Sequence, residues 1–153
     1  MRPLALLPLF LLATAPEKAI APGAWQLTSR VTEASVPGVP GFLVNMVLKR
    51  PKVEEKCAVA GPLDAGMSRL LAPNPVGKCV LEHNEVVDGR FVQVMTCPHK
   101  ITGPLQVVRV GSYDRASYRA QVTMTGVGGG VEKKRARIVA TMEARATGRG
   151  CKV

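Results

Sequence analysis

The sequence predicts a mainly β fold, a single curved antiparallel sheet of half-barrel form with one short helix packed against it. Three observations carry this expectation. Two runs in the C-terminal third alternate apolar and polar residues at the two-residue period of a strand with one wet face. A pair of cysteines, Cys79 and Cys97, brackets a segment that reads as a β-hairpin. Only one stretch places apolar residues at helical spacing and ends in a proline stop.

The chain begins with Arg2 and an apolar run from Leu4 to Ala13 interrupted only by Pro3 and Pro8, the pattern of a secretory signal peptide. The run is too short for a membrane span, and no later run is long and apolar enough to be one. The expected organisation is a signal peptide over residues 1–21 and one disulfide-linked β domain over 22–153. Ala13-Thr14-Ala15 and Ala19-Ile20-Ala21 both match the small-x-small cleavage pattern, so the cut is expected between residues 15 and 21. Each site leaves a proline, Pro16 or Pro22, just past it.

Gly23 to Thr32 alternates with Trp25, Leu27 and Val31 inward, a first strand with a phase slip expected near Ser29. Trp25 is read as a core anchor, because large aromatics dominate burial in small domains. Ser35 to Gly41 is a proline- and glycine-rich break. Phe42 to Leu48, apolar except for Asn45, fits either a strand or a short helix. Lys49 to Lys56 reads as a solvated link into a short strand, Cys57 to Ala60. Asp64 then sits in or caps the first turn of a helix with Met67, Leu70 and Leu71 on one side, ended by Pro73-Asn74-Pro75. A helix of two to three turns is unstable alone and must lie on the sheet.

The hairpin is expected to turn through Val87, Asp88 and Gly89, with Gly89 left-handed. That loop pairs Val86 with Arg90, sets His83 opposite Gln93 and brings Cys79 opposite Cys97 at a separation a disulfide needs. A two-residue Asp88-Gly89 turn slips the register by one and leaves the sulfurs diagonal. Further strands follow at Leu105 to Val110, with a turn over Gly111 to Arg115, and at Ser117 to Thr125, where Tyr118, Ala120, Val122 and Met124 alternate with Arg119, Gln121 and Thr123. After the glycine-rich loop 126–130, Ile138, Ala140, Met142, Ala144 and Ala146 alternate with Val139, Thr141, Glu143 and Arg145.

An even set of four cysteines in an exported chain is read as disulfides. The hairpin favours Cys79 with Cys97, which leaves Cys57 with Cys151 to tie the start of the domain to its end. The spacing lacks the paired knuckles of structural zinc, so no metal and no cofactor are expected.

Taken together, Gly23-Ala24-Trp25-Gln26-Leu27-Thr28, Pro37-Gly38-Val39-Pro40, Lys56-Cys57-Ala58, Cys79-Val80, Met95-Thr96-Cys97, Gly111-Ser112-Tyr113, Ser117-Tyr118 and Gly148-Arg149-Gly150-Cys151 make the chain similar to the DUF3617 family of exported bacterial proteins. The resemblance covers nearly all of the chain after the signal segment. It implies a periplasmic or secreted protein with disulfides and brings no catalytic residues. Members of the group often begin a helix with a Pro/Glu pair after the first cysteine, where this chain has Gly61-Pro62-Leu63-Asp64.

The residues offer little enzymatic chemistry. His83 and His99 with Glu82 or Glu85 would make a minimal metal set, but alternation separates Glu82 from His83. Ser68, Ser112 and Ser117 have no adjacent histidine and no strand-turn-helix elbow, and paired cysteines are not nucleophiles. The glycine-rich loop lacks a P-loop lysine and joins two strands. Charge carries the functional content: the formal net charge is +10, and removing residues 1–21 leaves +9. Lys133, Lys134, Arg135, Arg137 and Arg145 cluster on the last hairpin, and Arg119 lies on its expected partner strand, making a basic stripe. Such a field attracts anionic envelope surfaces, lipid headgroups or acidic proteins. Nucleic acid does not fit, because no aromatics are interleaved with the basic residues. The expected function is therefore a non-enzymatic exported domain that associates with anionic envelope components. The alternative is a small apolar-ligand carrier, with Phe91, Met95, Tyr118, Val122, Met124, Ile138 and Met142 lining a β cavity.

Overall fold

Alternation in the sequence becomes a seven-stranded antiparallel sheet: β1 (Gly23–Ser35), β2 (Lys52–Ala58), β3 (Val80–Val87), β4 (Arg90–Cys97), β5 (Leu105–Tyr113), β6 (Ser117–Gly126) and β7 (Arg137–Ala146). The computed structural model describes residues 19–48, 50–100, 103–126 and 136–151. Strand order is β2-β1-β7-β6-β5-β4-β3, so β3 to β7 form a meander and β1 closes onto β7. Two helices interrupt the strands, α1 (Gly41–Leu48) between β1 and β2 and α2 (Leu63–Leu71) between β2 and β3, with a 3-10 turn at Pro75–Gly77. The loop over 126–130 and the segment Lys133-Lys134-Arg135 lie, apart from Gly126, outside the described residues.

The sheet curls around its inner face, and α2 touches both edge strands, β2 and β3, so it spans the mouth of the half-barrel. Trp25, Leu27, Phe91, Tyr113, Tyr118, Ala120 and Ala144 of the inner face pack with Met67, Leu70 and Leu71 of α2. Met95, Val107, Val122 and Ala140 extend the core along the sheet. The rings of Phe91 and Tyr118 meet edge to face at 6.0 Å, and the Trp25 indole N–H donates to the Ala21 carbonyl at 2.9 Å. Ile20 is only 1 % exposed and belongs to the same core.

The two ends of α2 are held differently. Pro62 occupies the N-cap without a side-chain hydrogen bond, and Asp64 in the first turn accepts from the Tyr113 hydroxyl at 2.6 Å. At the other end Lys56 Nζ donates to the carbonyls of Leu70 and Ala72 at 3.0 and 3.1 Å, and Arg109 Nη1 donates to Leu71 O at 3.3 Å. Two cations thus serve the orphan carbonyls where the helix dipole is negative. Burial lowers the pKa of both side chains, and for Lys56 the charge of Arg109 adds to the effect.

The four cysteines pair as expected, Cys57 with Cys151 and Cys79 with Cys97. The hairpin reaches that pairing by another route. Its turn is the two-residue Asp88-Gly89 form, with φ of 49° and 77° and Val87 opposite Arg90. His83 therefore faces Val94, and Gln93 faces Asn84. A bulge between Leu81 and His83 then restores the register, so Leu81 faces Met95, Val80 faces Thr96, and the cysteines meet. The type I′ geometry matches strand twist, and the extra residue, Glu82, takes up the slip.

Three further boundaries differ from the sequence reading, and the Phe42 segment takes the helical one of its two expected forms. The alternation of β1 runs unbroken through Val31, and its slip falls between Val31 and Glu33. The expected link at 49–56 is mostly strand: β2 starts at Lys52 and pairs with β1 from Ser29 to Gly23. Its charged residues mark an edge strand protected against further pairing. β5 runs on through Gly111 to Tyr113, because a side chain at Gly111 would strike the Arg119 carbonyl and the Phe91 ring.

Candidate functional site

Because the inner face is occupied by core and helix, the face open to a partner is the outer one. Cross-strand register builds it row by row. Arg90 of β4, Ser112 of β5, Arg119 of β6, Glu143 of β7 and Thr28 of β1 form one row. Ser117, Arg145 and Gln26 form the next row on one side, and Val92, Val110, Gln121, Thr141 and Arg30 the row on the other. Adjacent strands lie about 4.8 Å apart, so neighbours along a row are in side-chain reach.

Two adjoining hollows lie along these rows and share Ser112, Arg119 and Glu143. One, of about 350 Å³, is also lined by Asp114, Ser117 and Arg145; the other, of about 430 Å³, by Arg90, Gln121 and Thr141. Asp114 is committed to the β5–β6 turn, accepting from the backbone N–H groups of Ala116 and Ser117 and from the Ser117 hydroxyl, each at 2.7 Å. The Ala116 N–H, then the Ser117 hydroxyl, hold its carboxyl below the usual range. Arg90, Arg119 and Arg145 thus face Glu143 and a neutral rim of hydroxyls and amides.

The expected anionic-contact residues separate into three groups. Arg119 and Arg137 are on the outer face but each has an acidic neighbour: Arg119 Nε lies 3.7 Å from Glu143, and Arg137 Nη1 2.9 Å from Glu33. These pairs are exposed and add little stability, yet they break the expected stripe into separate arginines. Arg145 is exposed, with no ion pair among the described residues. Lys133, Lys134 and Arg135 lie outside the described residues. Arg30 and Arg90, both exposed, extend the face and were not singled out by sequence. Arg90 was legible, since it precedes the inward Phe91; Arg30 becomes part of the face only through pairing with a strand more than a hundred residues away.

The inner face holds polar chemistry of another kind. Gln93, fully buried, donates to Asn84 Oδ1 at 2.9 Å, and Asn84 donates to the Ser68 hydroxyl of α2 at 3.0 Å. Gln93 Oε1 and Arg109 Nε are buried without a hydrogen-bond partner among the described residues. With Lys56 and Arg109 on helix carbonyls, this set joins sheet to helix. Of the residues named for a ligand cavity, Phe91, Met95, Tyr118 and Val122 are buried in the core, and Met124, Ile138 and Met142 are half-buried. His83 lies 3.6 Å from Glu85, and no group of three metal-binding side chains converges among the described residues.

Among the described residues no helix is long and apolar enough to cross a membrane. The profile of a family described as "Protein of unknown function (DUF3617)" matches residues 20–151. No curated protein and no solved structure matches the chain.

Proposed function

We propose that this chain, which belongs to the DUF3617 family, is an exported, non-enzymatic domain that associates with anionic components of the cell envelope through the outer face of its sheet. The carrying observation is the placement of Arg90, Arg119 and Arg145 around two open, adjoining hollows on the outer face of the sheet. Guanidinium groups held on strands present donors in fixed positions to phosphate or carboxylate oxygens. The net charge of +9 that remains after the signal segment draws such groups in over a Debye length. The test is co-sedimentation with phosphatidylglycerol vesicles and with phosphatidylcholine vesicles at low salt. The protein is expected to follow the anionic vesicles alone, and the triple substitution R90E/R119E/R145E to weaken binding by about tenfold or more. Absence of binding to anionic vesicles, or a triple variant that binds as well as the parent, overturns the reading.

Export is part of the proposal, and the packing of the first described residues supports the upstream of the two cleavage sites. Ala19 bridges to Pro62, Ile20 N donates to Gly61 O at 3.2 Å, and Ala21 N donates to Arg115 O at 2.8 Å. Cleavage after Ala21 would strip a buried isoleucine and the Trp25 acceptor from the core. Cleavage after Ala15 keeps them. Intact mass of the secreted protein is expected to give Pro16 as the first residue; a chain that begins at Pro22 refutes this.

A further inference from the structure

Helix α1 turns most of its described apolar side chains to solvent. Of its residues, GFLVNMVL, Asn45 alone is polar. Val44 is buried at 7 % exposure, while Phe42, Leu43 and Met46 are exposed at 66, 41 and 67 %. Phe42 and Met46 are one turn apart, so their side chains share a face, with Leu43 beside them and Val44 opposite. Among its described side chains only Val44 is buried, and the arc of Phe42, Leu43 and Met46 turns to solvent. Val39, just before it, is 43 % exposed and enlarges the patch. Contiguous exposed apolar side chains of this kind mark an interaction site.

The charge around the patch selects the partner. From Val36 to Lys52 the sequence has no acidic residue. Arg50 is exposed just past the helix, and the Lys52 side chain is 74 % exposed at the start of β2. An apolar arc with cations at its margin matches an anionic bilayer surface, where apolar groups enter the acyl boundary and cations stay with the headgroups. A second copy fits less well, since a two-fold interface through this patch would bring the exposed Arg50 side chains of both copies together, while Lys52 already pairs with Glu54.

We propose that α1 is a membrane-docking element: Phe42, Leu43 and Met46 insert into the surface of a bilayer that carries anionic headgroups, and Arg50 and Lys52 contact those headgroups. This rests on the envelope reading above and narrows its partner to the lipid bilayer itself, because a soluble polyanion offers nothing to the apolar arc.

The experiment places a reporter in the arc. In Phe42→Trp the introduced indole is exposed, while Trp25 is fully buried and supplies a constant background. With vesicles of brominated phosphatidylglycerol, emission from the introduced indole is expected to shift to the blue and be quenched. Part of the binding is expected to survive about 0.5 M salt, where charge attraction is screened, and F42S/M46S to lose that part by about tenfold. Binding at low salt that salt abolishes, with the introduced indole unquenched and F42S/M46S unaffected, overturns the docking role and leaves the arginine face standing. No binding at low salt removes both. Concentration-dependent dimerisation that F42S/M46S abolishes, without quenching by the vesicles, assigns the patch to a second copy instead.

Discussion

The two helices are almost equal in length, eight residues in α1 and nine in α2, and each follows a proline, yet they meet opposite fates. α2 carries Asp64, Ser68 and Arg69 and still buries Met67, Leu70 and Leu71 completely or nearly so. α1 is the more apolar and buries only Val44 among its described side chains. Topology decides this. α2 connects the two outermost strands, so its path crosses the mouth of the half-barrel and its apolar side meets the inner face. α1 connects β1 to its neighbour β2, a path that needs no crossing. Apolar content alone therefore does not place a helix in the core; the strands it joins do.

The comparison breaks most directly through stability. Met67→Ala and Leu70→Ala are each expected to cost about 2–5 kcal/mol in urea unfolding, whereas Phe42→Ala and Met46→Ala should stay within about 0.5 kcal/mol of the parent. An α1 substitution as costly as one in α2 would mean that α1 is core. Next in size is a pH effect on the face beneath α2. Burial pushes Tyr118 up to about 12, and burial with the hydrogen bond to Asp64 pushes Tyr113 up to about 12. Both tyrosines have an ordinary value of 10.0, so stability is full below that pH and falls between it and about 12, as the unfolded chain loses protons that the fold retains. The Tyr118 share is about 2–3 kcal/mol, measurable by urea unfolding across that interval. A flat profile would show that α2 does not seal the ring from water.

Smaller changes probe the seating of α2. A side chain at Gly66 would come within 2.5 Å of Ile20 Cγ2. Gly66→Ala is expected to destabilise by about 1–2 kcal/mol despite the better helix propensity of alanine. Most of that cost should vanish in an Ile20→Ala background, a coupling a double-mutant cycle reads directly. Smallest is the C-terminal cap: Lys56→Met keeps the stem but loses both bonds to helix carbonyls, for about 1 kcal/mol. Lys52→Met, whose partner is exposed Glu54, should cost nothing measurable.

Much of the fold was legible because its signals are local. Alternation in 117–125 and 138–146 assigns the two faces, though Val139, read as outward, is buried, and Met67, Leu70 and Leu71 at helical spacing with a proline stop give α2. The candidate site was legible only in part. Arg119, Arg137 and Arg145 do share the outer face, and Glu143, two residues before Arg145, already announced an interruption. Glu33 beside Arg137 did not, because a strand 104 residues away in sequence supplies it. β2 was missed for a related reason: an edge strand exposed on both sides carries charge where a half-buried strand would show alternation.

The sequence by itself determined which side chains face inward along the long strands, the pairing of the four cysteines and the existence of α2. These follow from two-residue and four-residue periodicities and from turn chemistry, all of which act over a few neighbours. Tertiary structure decided the bulge in the β3–β4 hairpin, the charge partners on the outer face and the exposure of α1. The hairpin shows why. Asp88-Gly89 takes the turn that suits its own backbone, and a bulge at Glu82 absorbs the register slip so that the cystine can close. Two local preferences that conflict on paper are reconciled in the fold by one extra residue between them.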